Sequence, residues 1–223
     1  MTVTSRIDHL VVAAASLEQG IAWCRENFGF EPASGGEHPL MGTHNRVFRI
    51  DTPRFPRAYF EIIAINPAAA DPGRTRWFDL DDAQLRAALA QGPSLVHFVA
   101  STNDAQAAIE ALDALGIDCG ELLAVERPTP AGVLRWKISV RPDGRRLFDG
   151  TLPTLIEWGP LHPCDPLPAS GVSLQALELS HPRAAQLQAA FDAIGLQQVT
   201  SRTGPPQLTA DLSGPGGIVR ITS

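Results

Sequence analysis

Hydrophobic positions along the chain repeat one arrangement three times: an apolar segment of strand length leads into an amphipathic helix that stops at a glycine. The apolar segments read IDHLVVAAA, SLVHFVAS and VSLQALELS. The helical segments after them read SLEQGIAWCRENF, NDAQAAIEALDAL and HPRAAQLQAAFDAI. Apolar side chains such as Leu17, Ile21, Cys24 and Phe28 recur at helical spacing, which predicts one buried stripe per helix. The pattern indicates one structural unit that occurs three times.

The predicted helix ends carry recognisable signals. Ser16 with Gln19, and Asn103 with Gln106, have the spacing of a capping box, and Pro182 suits the first turn of the third helix. Each helix should end where a glycine can adopt the left-handed conformation without a Cβ clash. These glycines are Gly29, Gly116 and Gly195.

Three extended segments separated by turn residues follow each helix, so each unit reads β-α-β-β-β. The predicted fold class is α+β, with three such units and a cupped mixed sheet. The predicted division is a first unit at 1–66, a linker with a short helix at 67–93, a second unit at 94–158 that pairs with the first, a proline-rich connector at 159–169 and a third unit at 170–223.

Composition narrows the function. The 223 residues are 44% apolar and 19% charged, which is typical of a globular protein. A net charge of -6 with scattered lysines and arginines argues against a nucleic-acid partner. No apolar run has the length of a membrane span, and the first residues lack the apolar region of a signal peptide, so we expect a cytoplasmic protein with no membrane partner. The three cysteines form no CxxC pair, which suits a reducing compartment.

Tandem units with this strand, helix and glycine phrase resemble the vicinal oxygen chelate superfamily, which includes glyoxalase I, extradiol dioxygenases, fosfomycin-resistance proteins and bleomycin-binding proteins. The resemblance covers essentially the whole chain. It implies that two units form a cup around a divalent metal, with ligands in the first and last strands of each unit. At those positions stand His9, Glu61, His97 and Glu157.

Spacing agrees with this implied ligand set, because 52 residues separate His9 from Glu61 and 60 separate His97 from Glu157. Strand alternation adds a geometric expectation, since every second side chain faces the same way. The groups expected to share a face are Ile7 with His9 and Val11, Tyr59 with Glu61 and Ile63, and Leu95 with His97 and Val99. The alternative is that both histidines are structural and that both glutamates pair with arginines.

Two imidazoles and two carboxylates would suit a divalent ion such as Zn, Ni, Mn or Fe. Such an ion would polarise neighbouring substrate oxygens or, if it is iron, activate dioxygen. By analogy with glyoxalase chemistry, Glu61 or Glu157 would act as the catalytic base. The third unit has Ala176 and Arg220 near the ligand positions, so we expect it to be ligand-free. It would then cover one end of the cup or pack on a second chain in a homodimer.

Two further phrases, GGEHPLMGTHNRVF at 35–48 and TLPTLIEWGPLHP at 151–163, resemble a glyoxalase-like subgroup of the superfamily. The polar residues of the first phrase are expected at the mouth of the cup, where they would contact substrate, or else in an ordinary hairpin turn. They are His38, Thr43, His44 and Asn45. Arg135 is a candidate for binding an anionic substrate group, with a surface ion pair as the alternative.

The resulting hypothesis is a glyoxalase-like, metal-dependent enzyme that acts on a small molecule with adjacent oxygens, as an isomerase, lyase or dioxygenase. The first alternative is a metal-free protein that binds or sequesters a small molecule, as the bleomycin-resistance type does. A second alternative is a scaffold whose third unit mediates assembly.

Overall fold

A computed structural model describes residues 2–223 and has an α+β architecture with two sheets. The strands are β1 (Ser5–Ala13), β2 (Ala33–His38), β3 (Thr43–Arg49), β4 (Tyr59–Ile65), β5 (Ser94–Thr102), β6 (Glu121–Thr129), β7 (Gly132–Val140), β8 (Thr154–Trp158), β9 (Ser173–Ser180), β10 (Ser201–Arg202), β11 (Gln207–Gly214) and β12 (Gly217–Thr222). The helices are α1 (Leu17–Phe28), α2 (Ala83–Leu89), α3 (Ala105–Asp113) and α4 (Ala184–Ala193). Within residues 2–223, no helix is long and apolar enough to cross a membrane.

Two β-α-β-β-β units join side by side in one curled, eight-stranded mixed sheet, which forms a half-barrel. The strand order is β2-β3-β4-β1-β5-β8-β7-β6, with β1 and β5 antiparallel at the centre. Within each unit the first and last strands are parallel, because β1 pairs with β4 and β5 with β8. The third unit forms a separate sheet of order β10-β9-β11-β12. The predicted fold class is confirmed.

Helix starts follow the predicted chemistry in α1 and depart from it in α3. Ser16 Oγ accepts a hydrogen bond from Gln19 N–H at 3.2 Å, as a capping box requires. The prediction of Asn103 as the cap of α3 is wrong, because Asp104 caps that helix by accepting from Ala107 N–H at 3.0 Å. Asn103 instead accepts from the backbone N–H before β1, which ties α3 to the central strand.

The predicted helix-ending glycines all have left-handed backbones, with φ of 80° at Gly29, 73° at Gly116 and 66° at Gly195. At Gly195 the surroundings add a second constraint. A Cβ there would lie 2.4 Å from the carbonyl oxygen of Val3. The glycine therefore allows the third unit to approach the chain just before β1.

The third unit packs on the convex face of the large sheet, opposite the cup. Leu10 and Phe60 of the large sheet belong to one buried cluster with Leu187 and Phe191 of α4. A second, separate cluster covers part of the concave face and includes Val11. The expectation that the third unit covers one end of the cup is therefore wrong, because its apolar surface is buried behind the sheet.

A β-bulge interrupts the alternation of β1. Ile7 pairs with Ala100 and His9 pairs with Val99, so Asp8 is an extra residue in the strand. Ile7 packs in the convex cluster with Leu10, whereas Asp8 and His9 both turn to the concave side. The prediction that Ile7 shares a face with His9 is wrong for this reason.

The second unit repeats the bulge in β5. Val11 pairs with His97 and Val12 pairs with Leu95, which leaves Val96 as the extra residue. Leu95 accordingly packs in the convex cluster, while Val96 and Val99 pack in the concave one. Leu95 therefore does not share a face with His97, contrary to strict alternation.

Gln198 of the third unit supports the bulge in β1 from behind. Its Oε1 accepts the backbone N–H of Ile7 at 2.5 Å, and its Nε2 donates to the carbonyl of Arg54 at 2.5 Å. A backbone N–H beside a bulge has lost its regular ladder partner, and leaving it unbonded in a partly buried place costs free energy. The third unit therefore supplies the hydrogen bond that the bulge requires.

We predict that Gln198→Ala destabilises the protein by about 1–3 kcal/mol, because the Ile7 N–H loses its acceptor. Urea unfolding followed by circular dichroism measures the change. The neighbouring Gln197 is exposed, so Gln197→Ala serves as the matched control and should change stability by less than about 0.5 kcal/mol. Equal effects of the two substitutions would show that the bulge does not depend on Gln198.

Candidate functional site

The concave face of the large sheet encloses a cavity of about 380 Å³. Its walls come from both units of the sheet and from the proline-rich connector after β8. The polar wall contains His9, Asn45, Glu61 and His162, while Trp136 and Trp158 belong to the apolar wall. A site of this kind, apolar with a few convergent polar groups, suits a small molecule.

Asp8 and His9 form a buried pair at the wall of this cavity, 2% and 5% exposed respectively. His9 Nδ1 lies 2.7 Å from Asp8 Oδ1, and the ionised carboxylate can only accept. His9 Nδ1 therefore carries the proton, and Nε2 is left as the basic nitrogen. The bulge makes this arrangement possible, since adjacent strand residues otherwise point to opposite faces.

Two further groups hold the Asp8 carboxylate. His162 Nε2–H donates to Asp8 Oδ2 at 3.0 Å, and Trp158 Nε1–H donates to the same oxygen at 2.9 Å. The tautomer of His162 is fixed because its Nδ1 accepts from Cys164 N–H at 3.2 Å. Burial alone would raise the pKa of Asp8, but hydrogen bonds from His162 and His9 outweigh burial and hold this pKa well below its usual range.

Glu61 faces His9 from the neighbouring strand β4. Glu61 Oε2 lies 3.7 Å from His9 Nε2, beyond hydrogen-bond length, and the carboxyl is only 4% exposed. Burial raises the pKa of Glu61, although the nearby His9 and the hydrogen bond from Asn45 act in the opposite direction. The site therefore contains two acidic groups in different environments. Hydrogen bonds favour the ionised form of Asp8, whereas burial favours the neutral form of Glu61.

The Asn45 amide fixes the orientation of Glu61. Asn45 Oδ1 accepts from the backbone N–H of Gly36 at 2.6 Å, so its Nδ2 points the other way and donates to Glu61 Oε1. Glu61 Oε2 then remains the oxygen that faces His9. The glycine-rich phrase around Gly36 thus orients the acid in the cup through one amide.

His97 occupies the position in β5 that His9 occupies in β1, but its ring nitrogens are already bonded. Nδ1–H donates to the carbonyl of Gly150 at 3.0 Å, and Nε2 accepts from Thr154 N–H at 3.0 Å. Burial and the charge of Arg146 lower the pKa of His97 to about 3. His97 is therefore a neutral structural histidine that joins β5 to β8.

Strand register explains why the second carboxylate does not reach the cup. Val11 pairs with Glu61, and its equivalent in the second unit, Val99, pairs with Thr154. The residue equivalent to Glu61 is therefore Thr154 rather than Glu157.

Glu157 lies on the convex side of β8. There it accepts from Ala105 N–H at 2.9 Å and from Lys137 Nζ at 2.8 Å. The carboxylate therefore supports the start of α3 and pairs with a neighbouring strand. The predicted catalytic role of Glu157 does not agree with this position.

The four expected metal ligands thus do not form one donor set. Only His9 and Glu61 face each other in the cup, while His97 has both nitrogens engaged and Glu157 is on the far face. Across the described part of the chain, no group of three or more His, Cys, Asp or Glu side chains is arranged to hold a metal ion. The residues present do not fit the divalent metal that the resemblance implies.

The polar residues of the glycine-rich phrase divide between the two faces of the sheet. His38 and Asn45 line the cavity, and Thr43 Oγ1 is 3.1 Å from His38 Nδ1. His44, which pairs with Ala64, is on the opposite face of β3 from Asn45 and does not line the cavity. Burial and the charge of Arg127 lower the pKa of His38 to about 3, so this imidazole is neutral.

The predicted anion-binding arginine, Arg135, points away from the cup. It pairs with Glu126 at 3.0 Å on the exposed side of the β6–β7 hairpin. Arg127 on β6 lines the cavity instead. Arg135 therefore forms a surface ion pair, which is the alternative to anion binding.

Sequence reasoning missed Asp8, Arg127 and His162. Strict alternation placed Asp8 on the helix side of β1, and only a bulge, which has no clear signal in this strand, turns it inward. His162 lies in the second phrase that resembles a glyoxalase-like subgroup, so that phrase was a usable signal. Arg127 sits in a strand whose alternating apolar residues, Leu123 and Val125, already indicated an inward face.

The cupped sheet built from paired β-α-β-β-β units, with polar groups converging on its inner wall, is the arrangement expected of the vicinal oxygen chelate superfamily. More specifically, the sequence model of the glyoxalase-like domain family matches residues 7–195, and the chain belongs to this family. A search of the curated proteins finds no match to the sequence.

One solved structure shares the fold, and others are matched more weakly, all at low sequence identity. A crystal structure of a hypothetical protein from Staphylococcus aureus is 16% identical, with a TM-score of 0.58 over 97% of this chain and 85% of its own. A Streptomyces coelicolor methylmalonyl-CoA epimerase variant in complex with 2-nitronate-propionyl-CoA is 18% identical, with a TM-score of 0.41 over 70% of this chain and 94% of its own. A 4-hydroxymandelate synthase variant from Streptomyces coelicolor is 14% identical, with a TM-score of 0.45 over 98% and 62%.

We predict that Glu61→Gln raises the melting temperature at neutral pH. Folding raises the pKa of Glu61 above its ordinary value of 4.5. Neutral Glu61 therefore makes its full contribution to the stability of the folded protein below pH 4.5, and this contribution is lost as pH rises through the folded pKa. A glutamine stays neutral throughout. Melting curves from pH 4 to pH 8 should therefore separate the variant from the wild type only at the higher pH.

Glu157→Gln is the matched control for this effect. Its carboxylate is paired with Lys137 and the start of α3, so its removal should lower stability by about 0–1 kcal/mol at neutral pH. If Glu61→Gln behaves like this control, burial does not strain the Glu61 carboxylate.

Proposed function

We propose that this protein is a small-molecule enzyme that removes and returns a proton on a substrate bound in the cup, with His9 as the general base. The observation that carries the proposal is the buried Asp8–His9 pair, whose free Nε2 faces both the cavity and Glu61. Membership of the glyoxalase-like domain family supports a small-molecule site of this kind.

In this proposal the proton leaves a carbon next to a substrate carbonyl. His9 Nε2 takes the proton, the C–H electron pair moves into the carbonyl, and the carbonyl oxygen becomes enolate-like. Asp8 keeps the imidazole in the correct tautomer and stabilises the imidazolium that forms. Glu61 faces the same space as His9 and, when protonated, donates to the developing oxyanion. Return of the proton to the same or a neighbouring carbon completes the cycle.

A substrate with adjacent oxygens suits this arrangement, since one oxygen can accept from Glu61 while the neighbouring carbon faces His9. The reaction class is therefore isomerisation, or elimination, in which the enolate expels a leaving group from the next carbon and the His9 imidazolium gives its proton to that group. A metal-dependent isomerase or dioxygenase suits this site less well, because only His9 and Glu61 of the four expected ligands lie together in the cup.

A binding protein without turnover is the second candidate. The indole rings of Trp136 and Trp158 lie 5.6 Å apart and, with Trp77, form an aromatic wall that would hold a flat apolar ligand. This wall would serve sequestration as well as catalysis. Proton exchange separates the two functions, since a sequestering protein would bind ligand without labelling it.

We predict that the wild type incorporates deuterium from D2O into members of a panel of small α-hydroxy and α-keto acids, aldehydes and ketones. His9→Gln should slow this exchange by about 10²–10⁴-fold, because the base is lost. Mass spectrometry of the recovered compounds measures the label. Glu157→Gln, on the far face, should leave the rate unchanged, and so should a chelator of divalent metals.

Exchange that survives in His9→Gln at the wild-type rate would contradict the assignment of His9. Exchange that disappears with the chelator and returns with added metal would contradict the metal-free mechanism. Binding of panel members without any labelling would favour sequestration.

A further inference from the structure

A guanidinium without a partner lies in the wall of the cavity. Arg127 is on the inward face of β6, on the same side as Leu123 and Val125. Its Nη1 is buried, and among residues 2–223 it has no hydrogen-bond partner. No carboxylate of the described chain lies within 4.0 Å of Arg127, whereas Arg135 on the other side of the same hairpin is paired with Glu126.

The guanidinium lies directly against the backbone of β2 at Gly36. A Cβ added to Gly36 would lie 1.2 Å from Arg127 Nη1 and 2.1 Å from its Cζ. Any side chain at position 36 would therefore displace the guanidinium. The same Gly36 donates its N–H to Asn45, which in turn orients Glu61, so the position of Arg127 is linked to the proton-transfer site.

Arg127 is also within electrostatic range of Glu61 and of the buried His38 and Tyr59. Its charge lowers the pKa of His38 and acts against the raised pKa values of Glu61 and Tyr59. A guanidinium remains charged at all physiological pH values, and leaving its buried Nη1–H donors without an acceptor is unfavourable. A ligand that brings a negative group would remove this cost.

We propose that Arg127 binds a carboxylate of the ligand, so that the cup selects small carboxylic acids with an apolar or aromatic body. The guanidinium offers two parallel N–H donors, which match a carboxylate. Leu134, Trp136 and Trp158 line the same cavity and would contact the apolar part. This inference rests on the proposed function only in that both place the substrate in the same cavity. It adds the chemical class of that substrate.

Binding of matched acids and amides tests the inference. The probes are benzoate, phenylacetate and 3-phenylpropionate, each compared with its primary amide, which keeps the shape and removes the charge. Quenching of tryptophan fluorescence reports binding, since three tryptophans line the cavity. The proteins are the full-length wild type, Arg127→Gln, Arg127→Lys, Gly36→Ala and, as the control on the opposite side of the hairpin, Arg135→Gln.

We expect the wild type to bind at least one acid more tightly than its amide. Arg127→Gln should weaken acid binding by about 10- to 100-fold and leave amide binding within about 3-fold, because hydrogen bonds between charged groups are lost. Arg127→Lys should retain part of the preference. Gly36→Ala should lose it without a change of charge, and Arg135→Gln should behave as the wild type.

The proposal is overturned if no acid is preferred over its amide, or if Arg127→Gln or Gly36→Ala keeps the wild-type preference. Circular dichroism checks that each variant is folded, and Gly36→Ala and Arg127→Lys decide the matter if Arg127→Gln is not. His9→Gln should keep the preference for acids. A wild type that prefers acids but exchanges no proton would contradict only the proposed function, whereas a wild type that exchanges protons without preferring acids would contradict only this inference.

Discussion

The carboxylate of Asp8 is the buried charge on which the arrangement of the cup depends. It accepts hydrogen bonds from His9, Trp158 and His162, which come from the first strand, the last strand of the second unit and the connector. A carboxylate taken out of water is tolerated only when such donors replace its hydration. One side chain thus ties the two halves of the sheet to the connector and, through the same bonds, sets the tautomer of the histidine that faces the cavity.

The two units of the pseudo-symmetric sheet differ in how their equivalent histidines are bonded. His9 and His97 occupy equivalent positions after equivalent bulges, and Glu61 and Thr154 occupy equivalent positions in the last strands. In the first unit a carboxyl faces the imidazole at 3.7 Å without bonding it. In the second unit, the backbone N–H of Thr154 donates directly to His97 Nε2, so this nitrogen is not available to a molecule in the cup. The proposed chemistry is therefore concentrated in the first unit, and the second supplies the apolar wall.

Much of the fold followed from the sequence, because helical periodicity, terminal glycines and turn residues are local signals that tertiary packing here reinforced. The position of Glu61 also followed, since β4 keeps strict alternation. The rest of the site did not follow, because its geometry depends on register. A single extra residue at Asp8 reverses the facing of everything before it in the strand, and a shift of three residues separates Thr154 from Glu157. Neither offset is encoded by hydrophobic pattern, since both faces of this sheet are buried and apolar.

The contact between Gln198 and the backbone of Ile7 is made from the convex side of the sheet, opposite the cavity. His9, the proposed base, stands two residues beyond Ile7 and faces the opposite surface of the sheet. A change in the third unit can therefore shift the backbone of β1, and with it the position of the His9 imidazole, while every residue that lines the cavity stays the same. Relatives with identical cups could in this way differ in rate, and a comparison of cavity residues alone would give no reason for the difference.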